Sequence, residues 1–382
     1  MRPPRVLLLI PATTYRAGDF LLAARRLALD LVIGSDGAQP IGHREVVKVD
    51  PDDLQRTVDR LVRRVGVLDA VVAADAPMLL LAAAVAARLG LPHNSVRSVA
   101  AAMDKAQQRR LWAAAGIPQP EFRIVPAGAA VTTAVAAIGF PCVVKPVSLS
   151  GSRGVLRADD EVGAASAARR IRGILAEAGR PDDEPLLVEE YLPGREVSVD
   201  GLLHDGSLTV TAVFDKPDSP DGPTFEETLL VAPPALPDHV LSAVTSTATL
   251  AARALGLERG PIHAELRMRE RHGEQLPAML ELAARSIGGL CSRALRFMDG
   301  ASLEEMVLAN ALARTVKPPR LSQPSGVLMV HPERDGVLRA VDGAAAEAVP
   351  GITGLSITVP VGQRVRPLPE GDRYLGFVFA AG

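Results

Sequence analysis

The 382-residue sequence predicts an α/β and α+β multidomain protein. Three observations lead there. Residues 5–98 alternate short apolar runs with helical patterns, as expected for a parallel sheet covered on both faces. An apolar run ending in a lysine, residues 142–145, passes straight into a Gly/Ser loop. Residues 262–269 and 276–283 both alternate apolar and polar around a polar turn, the pattern of a long antiparallel hairpin.

Taken in order, residues 6–10 read as a buried strand, 20–29 as a helix, and 31–33 and 70–72 as strands. No Gly-x-Gly-x-x-Gly follows the first strand, so a dinucleotide fingerprint is absent. A single helix is expected over about 98–115, ending at Gly116 with Pro118 beyond it. Then come a strand at 122–125, a helix at 129–138 and the strand at 142–145. After the loop at 148–154, a strand at 186–190 leads through Pro193-Gly194 to Glu196. A Pro/Asp/Gly-rich loop is expected at 215–223, a helix at 240–255, then the hairpin. From about 318 a tail of short strands and turns runs to Gly382. The expected domains are 1–98, 99–188 and 189–382.

Several classes are excluded or disfavoured. The net charge is −2 and aromatics are 3%, with no basic stripe, so a nucleic-acid partner is not expected. The five apolar residues after the basic N-terminus are too few for a signal peptide. The uncharged run 124–144 is cut by Pro126, Gly128, Gly139 and Pro141, so no membrane span is expected. Two distant cysteines, Cys142 and Cys291, make neither a disulfide framework nor a zinc set and suit a reducing cytoplasm. His263-Ala-Glu265 opens like a deaminase motif, but no Pro-Cys-x-x-Cys follows.

Three segments carry chemistry. Lys145 ends its strand, and the small residues after it let backbone N–H groups approach phosphate oxygens. In the second, Glu189 and Glu190 end a buried strand. Its exit offers backbone groups to an adenine edge, and Glu196 could take ribose hydroxyls. The third is the hairpin. Symmetry about Gly273 sets Glu265 directly opposite Glu281, with Cβ atoms roughly 4.5–5.5 Å apart. Two facing carboxylates repel unless a cation lies between them, and magnesium prefers such oxygen ligands. Arg285 follows on the same face, placed to stabilise a transferring phosphoryl group. His263 falls opposite Ala283.

Together and in this order, the segments over residues 99–311 resemble the ATP-grasp superfamily. The resemblance implies an ATP-grasp fold, with an N-terminal Rossmann-like βα domain, a lid subdomain, and a C-terminal core plus small β-rich tail. It implies that Lys105 and Lys145 bind nucleotide. Ser148, Ser150, Gly151, Ser152 and Gly154 then form the phosphate loop. Glu189, Glu190 and Leu192 meet adenine, Glu196 meets ribose, and Glu265 and Glu281 hold magnesium, with manganese as a substitute. Arg285 and Lys145 become the catalytic pair. Ala283 stands where many members carry asparagine. Arg285-Ser-Ile-Gly288-Gly289 and the Gly/Pro-rich tail are most similar to the amino-acid and dipeptide ligases. That similarity implies ATP-driven amide formation through an acyl phosphate, giving ADP and phosphate. The expected partners are a small-molecule carboxylate and an amine, with a homodimer left open. Candidate substrate contacts are Glu226, Glu227, His263, Arg285, Gly288, Gly289 and Arg293. The alternatives are a purine-pathway ligase or carboxylase, and a regulatory ATP-binding module without turnover.

Overall fold

Strands Arg5–Ile10, Asp30–Ser35, Val46–Lys48 and Ala70–Ala73 pair in parallel, with Arg5–Ile10 between Asp30–Ser35 and Ala70–Ala73. The computed structural model describes residues 2–37, 46–271 and 273–382. Side chains alternate across the first strand, so both faces of the sheet are buried. Leu7 and Leu9 face a core with Leu61, Leu81 and Val85. Val6, Leu8 and Ile10 face another, which also holds Leu303, Val307, Val327 and Phe377. The N-terminal unit is thereby packed onto the C-terminal half of the chain.

The helix expected over 98–115 is two helices, Val96–Met103 and Lys105–Ala114. Asp104 separates them. Its backbone is extended, and its carboxylate accepts hydrogen bonds from the N–H groups of Ala106 and Gln107. An aspartate that caps orphan N–H groups competes with helix continuation. The break sets Lys105 at the first turn of the second helix, where its N–H donates to Val147 O.

A small antiparallel sheet follows, with the order Phe122–Val125, Leu186–Glu190, Cys142–Pro146 and Leu156–Ala158. Helices Thr132–Ile138 and Glu161–Glu177 cover one face over a core of Val144, Ile171, Leu175 and Val188. An eight-stranded antiparallel sheet forms the second large layer. Its order is Glu274–Ala283, Gly260–Arg271, Glu196–His204, Ser207–Lys216, Leu229–Ala232, Ser325–Val330, Gly376–Ala381 and Ile352–Ile357. The tail thus supplies the last three strands of this sheet.

The tail also reaches the small sheet. Gly154 N–H donates to Pro369 O at 3.0 Å, Arg170 forms a two-bond pair with Glu370, and Arg366 pairs with Glu177.

The hairpin departs from simple symmetry. From Arg271 opposite Glu274 to Leu266 opposite Met279, the pairing is centred one half-step before Gly273. His272 lies outside the described residues. A bulge at Leu280 then shifts the register, and Glu265 comes to lie opposite Glu281, with His263 opposite Ala283. The extra residue also breaks the expected alternation. Met279 and Leu282 enter the core, whereas Leu276 is exposed and Leu280 faces the cleft.

Beneath this hairpin Leu266 is fully buried in a core shared with Trp112 and Val244. Leu266→Ala should cost about 2–5 kcal/mol of stability through the cavity it leaves. Urea unfolding followed by fluorescence of Trp112, the single tryptophan, measures it.

Candidate active site

The small sheet faces the hairpin side of the large sheet across a cleft, and the helix Lys105–Ala114 closes one side. The Lys105 ammonium donates to Leu149 O at 2.5 Å and lies 3.2 Å from the Glu281 carboxylate. On the same helix Arg109 is fully buried. Its guanidinium grips Glu189 with two bonds, of 2.6 and 3.1 Å, and donates to Leu280 O at 2.7 Å. Glu189 also takes the Lys145 ammonium at 2.7 Å. Burial pushes the Glu189 carboxyl up, but Arg109 and Lys145 outweigh it and hold the group at about 2. For Lys145 burial is the largest influence, and it pushes the ammonium down.

A second charge cluster lies across the large sheet. Lys216, at the end of its strand, is 2.6 Å from Glu196 and 3.4 Å from Glu265, and it also bonds Glu227. Burial pushes this ammonium down, yet the three carboxylates raise it well above the usual lysine range. Arg267 takes the other oxygen of Glu196 at 2.9 Å. His263 bridges Asp200, at 3.0 Å, and Glu265, at 3.4 Å. Burial lowers the imidazole, but Asp200 and Glu265 outweigh it and hold it at about 9. Asp200 in turn accepts from the Ile287 N–H at 2.7 Å, which fixes the chain just past Arg285.

These contacts bear on a divalent cation. Glu196, Glu227 and Glu265 bring carboxylate oxygens within 4.8 Å of one another, but the Lys216 ammonium already occupies their midst. Glu265 and Glu281, from paired strands, both line the cleft. An all-oxygen pair of this kind fits magnesium, which keeps several waters and completes its shell from phosphates.

The cleft brings together most of the expected residues. Lys105, Lys145, Ser150, Gly151, Ser152, Glu189, Glu190, Leu192, Glu196, Glu227, His263, Glu265, Glu281, Arg285 and Gly288 all line it. Three of the carboxylates are engaged differently from the expectation. Glu189 is locked between Arg109 and Lys145, and its backbone is paired in the sheet between Phe122 and Val143. Glu190 pairs with Arg269. Glu196 already holds Lys216 and Arg267, which a ribose would have to share. Ser148 turns away, its hydroxyl donating to Glu184 at 2.7 Å and accepting from Arg180. Gly154 packs against Pro146, and Glu226 does not line the cleft. Arg293 pairs with Asp19 and Ser356, outside the cleft. Gly289 acts through packing: it has φ +62°, and a Cβ there would lie 2.7 Å from the Phe377 ring.

Other residues of the site escaped the sequence reading. Lys216, buried behind the lining, fell inside the expected loop at 215–223, whereas the strand extends through it. Alternation continued from 207 would have found it. Tyr191, Phe225, Arg267, Cys291, Met329 and Tyr374 also line the cleft, each from a separate segment.

The comparisons with known proteins fall on these elements. An ATP-grasp domain model matches residues 138–294, and an L-amino acid ligase C-terminal domain 2 model matches 328–382. A D-alanine–D-alanine ligase from Gloeobacter violaceus is 35% identical over 194 residues, covering 47% of this chain. The chain spans 59% of that ligase's length. The solved L-amino acid ligase from Bacillus licheniformis superposes with a TM-score of 0.84 at 23% identity, covering 100% of this chain and 94% of that one. A carboxyaminoimidazole ribonucleotide synthase from Aspergillus clavatus, complexed with ATP, superposes at 0.75 with 17% identity, over 100% and 94%. The chain has the ATP-grasp fold, with the ATP-grasp domain model matched over residues 138–294.

The two ends of the Lys145–Glu189 pair should respond differently to mutation. Lys145→Met leaves Glu189 its two-bond contact with Arg109, whereas Glu189→Gln leaves two buried cations facing each other. Breaking a buried pair that way costs about 3–5 kcal/mol. Chemical denaturation should show the larger loss for Glu189→Gln. Titration with ATP should show Lys145→Met weakening binding tenfold to a hundredfold, from about 1.5–3 kcal/mol of charge-assisted bonding.

Proposed function

We propose that this protein joins an amino acid, through its carboxylate, to an amine as an amide, with an acyl phosphate as intermediate. One observation carries the reading. Lys105, Lys145 and the small-residue loop at 149–152 face the same cleft as Glu265, Glu281 and Arg285. One group of side chains suits nucleotide phosphates, and the other suits the cation and the developing charge of phosphoryl transfer.

A carboxylate oxygen of the first substrate attacks the γ-phosphorus of ATP, the β–γ bridging P–O bond breaks, and ADP leaves. The amine of the second substrate then attacks the acyl carbon. The C–N bond forms, the amine loses a proton, and phosphate departs. Lys105 and Lys145 hold the phosphates, while the 149–152 loop excludes water from the acyl phosphate. Arg285 has no carboxylate partner among the described residues, which leaves its guanidinium available to the transferring phosphoryl group. Glu265 and Glu281 would hold magnesium, which would neutralise phosphate charge there. Lys216 and His263 keep Glu265 ionised and in place.

The amino-acid reading is favoured over a purine-pathway one by the tail. Met329 and Tyr374 line the cleft and belong to the segment that matches the L-amino acid ligase C-terminal domain.

Chromatography of spent nucleotide should show ADP and phosphate. AMP as the main product overturns the acyl-phosphate route. Arg285→Ala should lower kcat by roughly a hundredfold or more, the scale for losing one transition-state donor. ATP affinity in a direct titration should be nearly unchanged, and a matched loss of ATP binding would place Arg285 on the ground-state nucleotide instead.

A further inference from the structure

One end of the cleft is unlike the rest. Beyond Arg285 its lining comes from Leu230, Ile287, Cys291, Met329 and Tyr374. The first four are almost fully buried and belong to a single continuous core. That wall is already built. Cys291 Sγ lies 3.8 Å from Met329 Sδ, and Tyr374 stands between His331, at 4.9 Å, and Phe377, at 5.3 Å between ring centroids. Gly289 allows Phe377 to close in behind, since any larger residue would meet its ring.

Two charged lining residues adjoin this end in the chain. Arg285 is two positions before Ile287, and Glu227 is three before Leu230, its backbone carbonyl held by His331 Nε2 at 2.8 Å. Glu227 shares the Lys216 ammonium with Glu196 and Glu265, so a second cation can still be accommodated beside it. An α-amino acid matches this arrangement. Its carboxylate meets Arg285 and the phosphoryl group, its ammonium meets Glu227, and its side chain enters the apolar end. A charged side chain there would be stripped of water without a partner. Sulfur and aliphatic walls favour an apolar one.

Resting on the ligase reading, we propose that Leu230, Ile287, Cys291, Met329 and Tyr374 form a side-chain pocket that selects an apolar amino acid as the acyl donor. Met329 and Cys291 set its depth.

The test supplies ATP, magnesium and single amino acids, with hydroxylamine as the trapping amine. The hydroxamate formed reports the acid alone. Leucine, methionine and their straight-chain analogues should exceed aspartate, glutamate and lysine by at least about tenfold in kcat/KM. Met329→Ala should shift preference toward longer apolar side chains, by about fourfold per added methylene. Cys291→Ala, a smaller change, should shift it in the same direction and serves if Met329→Ala does not fold. Equal or better turnover of charged side chains overturns the pocket, as does an unchanged ranking in a folded variant. If no acid yields hydroxamate, calorimetric titration of the same acids with a non-hydrolysable ATP analogue separates the two readings. Selective binding of apolar acids then upholds the pocket and overturns the ligase chemistry, whereas absence of selectivity overturns the pocket.

Discussion

The arrangement of the cleft depends on the buried guanidinium of Arg109. It sits on the helix Lys105–Ala114, bonds the Glu189 carboxylate of the small sheet, and donates to the Leu280 carbonyl at the hairpin bulge. Three units that share no sequence neighbourhood therefore meet at one planar cation. Arginine suits this role because its fork of donors can serve a carboxylate and a carbonyl at once. Gln108 adds a second tie on the same helix, exchanging bonds with the backbone of Leu282. With Arg109 and Gln108 in place, Lys105 faces Glu281 and Lys145 faces the cleft between the sheets.

The bulge belongs to the same constraint. An extra residue in a ladder frees a carbonyl and an N–H that need partners. Leu280 O finds Arg109, and the Met279 N–H finds Pro118 O at 2.8 Å. The shifted register then brings Glu281 opposite Glu265. Had the pairing continued unshifted from the turn, Glu265 would have met Leu280. The cleft's carboxylate pair is thus a product of the irregularity.

Much of this was legible in the sequence because local patterns report local structure. The parallel strands near the N-terminus, the lysine before the Gly/Ser loop and the two arms of the hairpin all follow from alternation and turn chemistry. The opposition of Glu265 and Glu281 was reached from an assumed symmetry that the turn does not have, and the bulge restores it. What stayed hidden depends on distant contacts. Nothing local marks Arg109 as a hub, since its partners lie 80 and 171 positions away. Asp104 was hidden inside an otherwise continuous helical pattern, and capping alone decided the break. Tyr374 and Met329 reach the cleft only because the tail extends the large sheet.

The strap between the tail and the small sheet rests on contacts of a different kind from those at Arg109. Its Arg170–Glu370 and Arg366–Glu177 pairs are largely solvent-exposed, so each is weak and screened by salt. The buried contacts at Arg109 are not screened in this way. Salt therefore weakens the two exposed pairs, while the Gly154–Pro369 backbone bond of the same strap is neutral and unscreened. Tyr374 lies four residues beyond Glu370, so one short stretch of chain carries both the tie to the small sheet and a wall of the cleft.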